Sequence, residues 1–102
     1  MKKYKKILIS KLKDENIFWS YEKPDYNALS NEVIISNVIL YLDSDDIDLL
    51  FKIFEIDVIK SIWIKDIISL DRYYSLNKLI AYVYFGIKNP DEFIEQNRMQ
   101  AQ

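Results

Sequence analysis

Read for the recurrence of apolar positions, the chain divides into helical stretches separated by short polar breaks. Tyr4, Ile7, Leu8 and Leu12 recur at helical spacing with lysines between them, which predicts an amphipathic helix over 2–13. From Asn31 to Leu42 the pattern changes: Val33, Ile34, Ile35, Val38, Ile39, Leu40, Tyr41 and Leu42 are apolar nearly all round, so this segment reads as a central, buried helix with Ser30 as its N-cap. Its β-branched content would also suit a strand, but no partner strands are evident. After Asp43 and Ser44, three acids (Asp45, Asp46, Asp48) sit near the positive end of a helix whose Ile47, Leu50, Phe51 and Phe54 share a face. Glu55 and Ile56 make a short turn. Asp57 then reads as the N-cap of a helix with Val58, Ile59, Ile62, Trp63 and Ile67 as its core-facing stripe.

Beyond this, a helix starting at Asp71 or Ser75 and ending at Phe85 carries Leu76, Leu79, Ile80, Val83 and Tyr84, and Gly86 stands where a left-handed residue ends a helix. Asn89-Pro90-Asp91-Glu92 is a start signal: a capping side chain, a proline in the first turn and two acids suited to the helix dipole. It predicts a last helix to about Asn97, followed by a frayed tail over 98–102. Only 14–30 lacks helical periodicity. Pro24, Asp25, Asn27 and Ser30 mark it as a loop, and Ile17, Phe18, Trp19 and Tyr21 supply bulky side chains to pin it. The expected fold is all-α: a compact bundle of about six short helices around one core, forming a single domain over 1–97.

Composition supports that picture. In 102 residues there is room for one domain, and half of them are apolar, enough to offset ordering entropy by burial. One glycine and two prolines are too few for hairpins, bulges or phosphate-cradling loops. With no cysteine there is no disulfide framework, and with no run of roughly 20 apolar residues there is no membrane span. The basic start lacks the apolar stretch of a signal peptide, so the expected location is cytoplasmic.

Histidine is absent as well as cysteine, which removes the commonest general base, the commonest metal ligand and the thiolate nucleophile. The aspartates at 43, 45, 46 and 48 do not follow calcium-loop spacing and read as helix-start acids. No enzyme, cofactor or metal is expected. Binding is the remaining class, and charge is distributed for it. Six of the fourteen basic residues (Lys2, Lys3, Lys5, Lys6, Lys11, Lys13) precede the first acid, Asp14, while the other eight share the rest of the chain with all sixteen acids. Such a basic helix suits an acidic protein face, nucleic acid or the acidic remainder of the chain, or is simply a solvated face. Large aromatics anchor interfaces, and the aromatic loop offers Trp19, Tyr21 and Tyr26; Trp19 is the best suited of them to pinning the loop, and Tyr21 and Tyr26 to exposed contact. A third candidate is the stretch 49–67, which has the length of a helix-turn-helix. Its second helix would present Lys60, Ser61 and Lys65 to DNA, flanked by Asp57 and Asp66 and without an arginine.

The order of motifs adds a resemblance. Ile17-Phe18-Trp19-Ser20, Val33-Ile34-Ile35-Ser36-Asn37-Val38-Ile39, Asp45-Asp46-Ile47-Asp48-Leu49-Leu50 and Phe54 before Val58-Ile59 resemble, over about residues 15–86, a family of small bacterial proteins. That family is marked by a Leu-Phe-Trp-Asp-like motif and a following Arg-Val-Leu helix. Ser20, Asn37 and Leu42 stand where it tends to have aspartate, arginine and glycine. Its members are typically encoded beside nucleotidyltransferase-type toxins of the abortive-infection class. The resemblance implies an antitoxin that binds and neutralises such a toxin, with Lys2, Lys3, Lys5, Lys6, Trp19, Tyr21 and Tyr26 as candidate contacts. The alternatives are a DNA-binding regulator using the helical pair, or a phage or host inhibitory binding protein; the oligomeric state is open.

Overall fold

The computed structural model describes residues 2–14 and 30–101. Among them are six α-helices and no strand: α1 (Lys2–Asp14), α2 (Asn31–Tyr41), α3 (Ser44–Ile53), α4 (Ile56–Asp66), α5 (Tyr74–Leu79) and α6 (Pro90–Ala101). A 3-10 turn (Asp71–Tyr73) leads into α5, and a π-helical turn (Ile80–Tyr84) continues it. The fold class is all-α, as the periodicity predicts. By their contacts the residues group into two compact units, Met1–Ile59 and Lys60–Gln102.

In the first unit α1, α2 and α3 pack on one another. Leu8 and Leu12, one turn apart, are fully buried, whereas Tyr4 and Ile7 on the flank of the same stripe stay partly exposed. Each buried leucine stabilises by about 2 kcal/mol through apolar area removed from water. The near-continuous apolar run of α2 is resolved into a buried side (Ile34, Ile35, Val38, Ile39) and an exposed end at Tyr41. Ser30 caps α2 as expected: its backbone is extended, and its hydroxyl accepts from the Val33 amide at 3.2 Å. Ile47 and Leu50 of α3 complete this core.

In the second unit the end of α4 contributes Ile62, Trp63 and Ile67. Trp63 is fully buried and stacks on Phe85 (ring centroids 5.1 Å apart) and Phe93 (5.8 Å, rings 3° from parallel). Ile68, Ile80, Ala81 and Ile94 fill the same core. The buried Asn77 completes it. Its Nδ2 donates to the carbonyls of Ile67 (3.3 Å) and Ile68 (3.4 Å), and its Oδ1 accepts from Trp63 Nε1 (2.9 Å). The carbonyls at a helix end have no intrahelical partner; Asn77 supplies one to Ile68 from α5, and a second one to Ile67, whose carbonyl also accepts the Leu70 amide at 2.9 Å.

Three boundaries differ from those the sequence predicts. α4 starts at Ile56, because the amides of Val58 and Ile59 both donate to the Glu55 carbonyl; Asp57 therefore lies in the first turn rather than at the cap. α6 runs on to Ala101 instead of stopping near Asn97, and Arg98 in its last turn pairs with Glu95 at 2.9 Å and with Asp71 of the 3-10 turn. The helix through 71–85 is not one regular element. After Leu79 it widens into a π turn, and Ala81 and Ile80 become its buried residues while Leu79 and Val83 come to the surface. Gly86 adopts φ 64°, the left-handed end anticipated from its position, and the Ile87 amide closes the turn on the Ala81 carbonyl at 3.0 Å.

Candidate functional site

The lysines of α1 divide by face. Lys11 turns inward: its Nζ donates to Asp46 Oδ1 at 2.5 Å. The Asp46 side chain is 4 % exposed, and its other oxygen accepts the Asp43 amide at 3.2 Å, closing the N-terminal turn of α3. Lys5 donates to Asn31 Oδ1 at 3.3 Å. These two lysines tie α1 to the starts of α3 and α2. The hydrogen bond from Lys11 to Asp46 raises the lysine above its ordinary range; partial desolvation opposes this, and Asp46, Asp43 and Asp45 add to it by charge.

Lys3 and Lys6 are different. They are exposed on the side of α1 away from Leu8 and Leu12, one turn apart, with Ser10 a further turn along. Neither has a charged or hydrogen-bonding partner among the described residues. Together with Ile7, Ser10 and Lys11 they line an open surface hollow of about 660 Å³. The first turn of α1 contains no acid. Ile7, 37 % exposed, sets an aliphatic side chain beside the two lysines. Lys2 belongs to the same helix. Trp19, Tyr21 and Tyr26 lie outside the described residues.

A second cleft, of about 340 Å³, is lined by Lys11, Asp14, Tyr41, Leu42, Asp43 and Asp46. Asp43 and Asp46 belong to the Asp43–Asp48 cluster seen in the sequence, and Asp14 ends α1. Asp46 is held by Lys11 and the Asp43 amide, so its geometry is that of a helix start tied to a neighbouring helix. Among the described residues no group of three or more acidic side chains is placed to share a metal ion.

The helix-turn-helix candidates Lys60, Ser61 and Lys65 all lie on α4. Lys60 lies 5.5 Å from the Phe93 ring centroid and 5.9 Å from that of Phe85, covering the two rings that stack on Trp63. Ser61 and Lys65 are exposed and one turn apart, but Asp57 occupies the preceding turn of that face. A carboxylate there repels phosphate.

Two features of the second unit are hard to see in the sequence. Asn77 is a core latch hidden in an ordinary polar position, and its signal is only that Asn follows an apolar residue in a helix. Leu79, Tyr82 and Val83 form an exposed apolar face that periodicity alone assigns in part to the core.

No helix among the described residues is long and apolar enough to cross a membrane. Compared with family models, with curated proteins and with solved structures, the chain matches none of them.

Proposed function

We propose that this protein is an antitoxin-like binding protein, which neutralises a nucleotidyltransferase-type toxin by laying the outer face of α1 against that enzyme's acidic cleft. The observation that carries the reading is the division of the α1 lysines. Lys5 and Lys11 are spent on Asn31 and Asp46, while Lys3 and Lys6 project from the other face around the Ile7 hollow. A cleft that holds divalent cations through carboxylates is negative, and a row of lysines on a rigid helix complements it by charge and speeds encounter. Ile7 adds an apolar contact that survives salt. The identity of the partner follows from the motif resemblance alone; the geometry supports an acidic partner of any kind.

The test is titration of the purified protein with the products of the reading frames adjacent to its own. Binding should weaken at least about tenfold in Lys3→Glu/Lys6→Glu, which turns two attractive contacts into repulsive ones, and should also weaken as salt rises. Binding that is indifferent to both would remove α1 as the contact surface. Retardation of short duplex DNA, lost in the same variant, would reassign the face to nucleic acid.

A further inference from the structure

The outer stripe of α1 does not end with its lysines. At 3.6 residues per turn, Ser10 and Asp14 point within about 20° of the direction of Lys3, so Asp14 lies on the same face, roughly 16 Å beyond Lys3 along the helix. All three are exposed. Lys11 is the common wall of two neighbouring hollows: the one of about 660 Å³ that holds Lys3, Lys6 and Ile7, and the cleft of about 340 Å³ that holds Asp14, Asp43 and Tyr41. Their charges are opposite. Among the described residues no acid lines the first. In the second the Lys11 charge is met by Asp46, which leaves Asp14 and Asp43 in excess. Lys3 stands at the positive end of the helix dipole and Asp14 at the negative end, each the end at which its own charge is disfavoured. Neither has a charged or hydrogen-bonding partner among the described residues.

Resting on the reading of α1 as the contact face, we infer that the partner is bipolar: it sets acidic groups against Lys3 and Lys6 and a basic side chain, lysine or arginine, in the cleft of Asp14, Asp43 and Tyr41. Charge complementarity selects this occupant. A partner that follows the stripe past Lys6 meets Asp14 about 12 Å further on. A uniformly acidic surface, or the phosphates of nucleic acid, would be attracted at one end of the stripe and repelled at the other. A cation in the cleft faces two carboxylates that Lys11 does not neutralise, beside the ring of Tyr41, which is 48 % exposed. Matching both ends also fixes the direction and register of the partner along α1, which a row of lysines by itself leaves free.

The sign of one substitution tests this. Asp14→Lys replaces an exposed acid at the end of α1 by the charge that the helix dipole favours there, so the full chain keeps its fold, as circular dichroism checks. A uniformly acidic partner would bind the variant more tightly than the natural chain; a bipolar partner should bind it about fivefold more weakly. The titration uses the products of the reading frames adjacent to the protein's own, with Lys3→Glu/Lys6→Glu alongside. Weaker binding of both variants is the expected result. Weaker binding of the lysine variant with equal or tighter binding of Asp14→Lys overturns the inference and leaves the α1 reading standing, whereas indifference to both removes the two together. If no neighbouring product binds, two synthetic helical peptides of roughly four turns decide the matter at low salt, one with glutamates throughout and one with glutamates in one half and arginines in the other. The natural chain should prefer the mixed peptide and Asp14→Lys the acidic one. Preference of the natural chain for the acidic peptide, or for neither, overturns the inference.

Discussion

Asn77 bonds three buried polar groups, the indole of Trp63 and the carbonyls of Ile67 and Ile68, of which the Ile67 carbonyl also accepts a second donor, the Leu70 amide. A buried group left without its partner costs about 1–3 kcal/mol, so Asn77→Ala should lower stability by roughly 3 kcal/mol in urea denaturation. Asn77→Asp keeps an acceptor for Trp63 but sets a carboxylate against two carbonyls. It should be worse than alanine at neutral pH and recover part of the loss in acid; equal losses for the two variants would show that the two carbonyls find other donors. Asp91 illustrates a titrating contact. Its oxygen accepts from the Tyr74 hydroxyl at 2.6 Å and lies 3.4 Å from Lys78 Nζ. The Tyr74 hydrogen bond holds its pKa below the ordinary 3.8; desolvation, next in size, opposes it, and the charge and hydrogen bond of Lys78 add to the lowering. A depressed carboxyl contributes stability above its unfolded pKa and loses it as pH falls through the folded value. The stability gap between the natural chain and Asp91→Asn should therefore be present at neutral pH and close below pH 3.8; a gap unchanged into strong acid would mean that the ionised form of Asp91 is not what matters.

At the scale of elements, α1 and α3 are joined through one unequal pair. Asp46 is buried while Lys11 keeps a side chain 48 % exposed. Removing the lysine strands a buried carboxylate, whereas removing the carboxylate leaves a lysine that water can hold. Lys11→Met should thus be more destabilising than Asp46→Asn in thermal melts, and the double variant should regain part of the difference. The reverse order would show that the cap on α3, not the ion pair, is the chief contribution of Asp46. Gly86 tests the end of the helix 74–84. A Cβ there meets nothing within 4 Å, so Gly86→Ala is penalised only by the φ of 64°, at about 1–2 kcal/mol; Gly86→Asn should cost less.

Much of this was legible in the chain. The Ser30 cap, the Leu8–Leu12 stripe, the Ile59–Ile62–Trp63–Ile67 stripe, the Gly86 stop and the Asn89-Pro90 start are local signals, and local backbone chemistry decides them. The π turn was not legible. Nothing in Ile80-Ala81-Tyr82-Val83-Tyr84 forbids a regular helix. Likewise, six lysines in thirteen residues announce a basic helix, but which of them are consumed by Asn31 and Asp46 depends on how α2 and α3 return to α1.

For the molecule as a whole, the lysines on the outer face of α1 are the surface offered to an acidic partner, and binding there should weaken as salt rises. The central claim, that Lys3 and Lys6 on the outer face of α1 carry partner binding, is tested most directly by calorimetric titration of the products of the adjacent reading frames into the natural chain and into Lys3→Glu/Lys6→Glu. The account predicts saturable binding to the natural chain and a loss of at least about tenfold in the variant. Equal affinity for the two chains, or no binding to the natural chain at low salt, would contradict it.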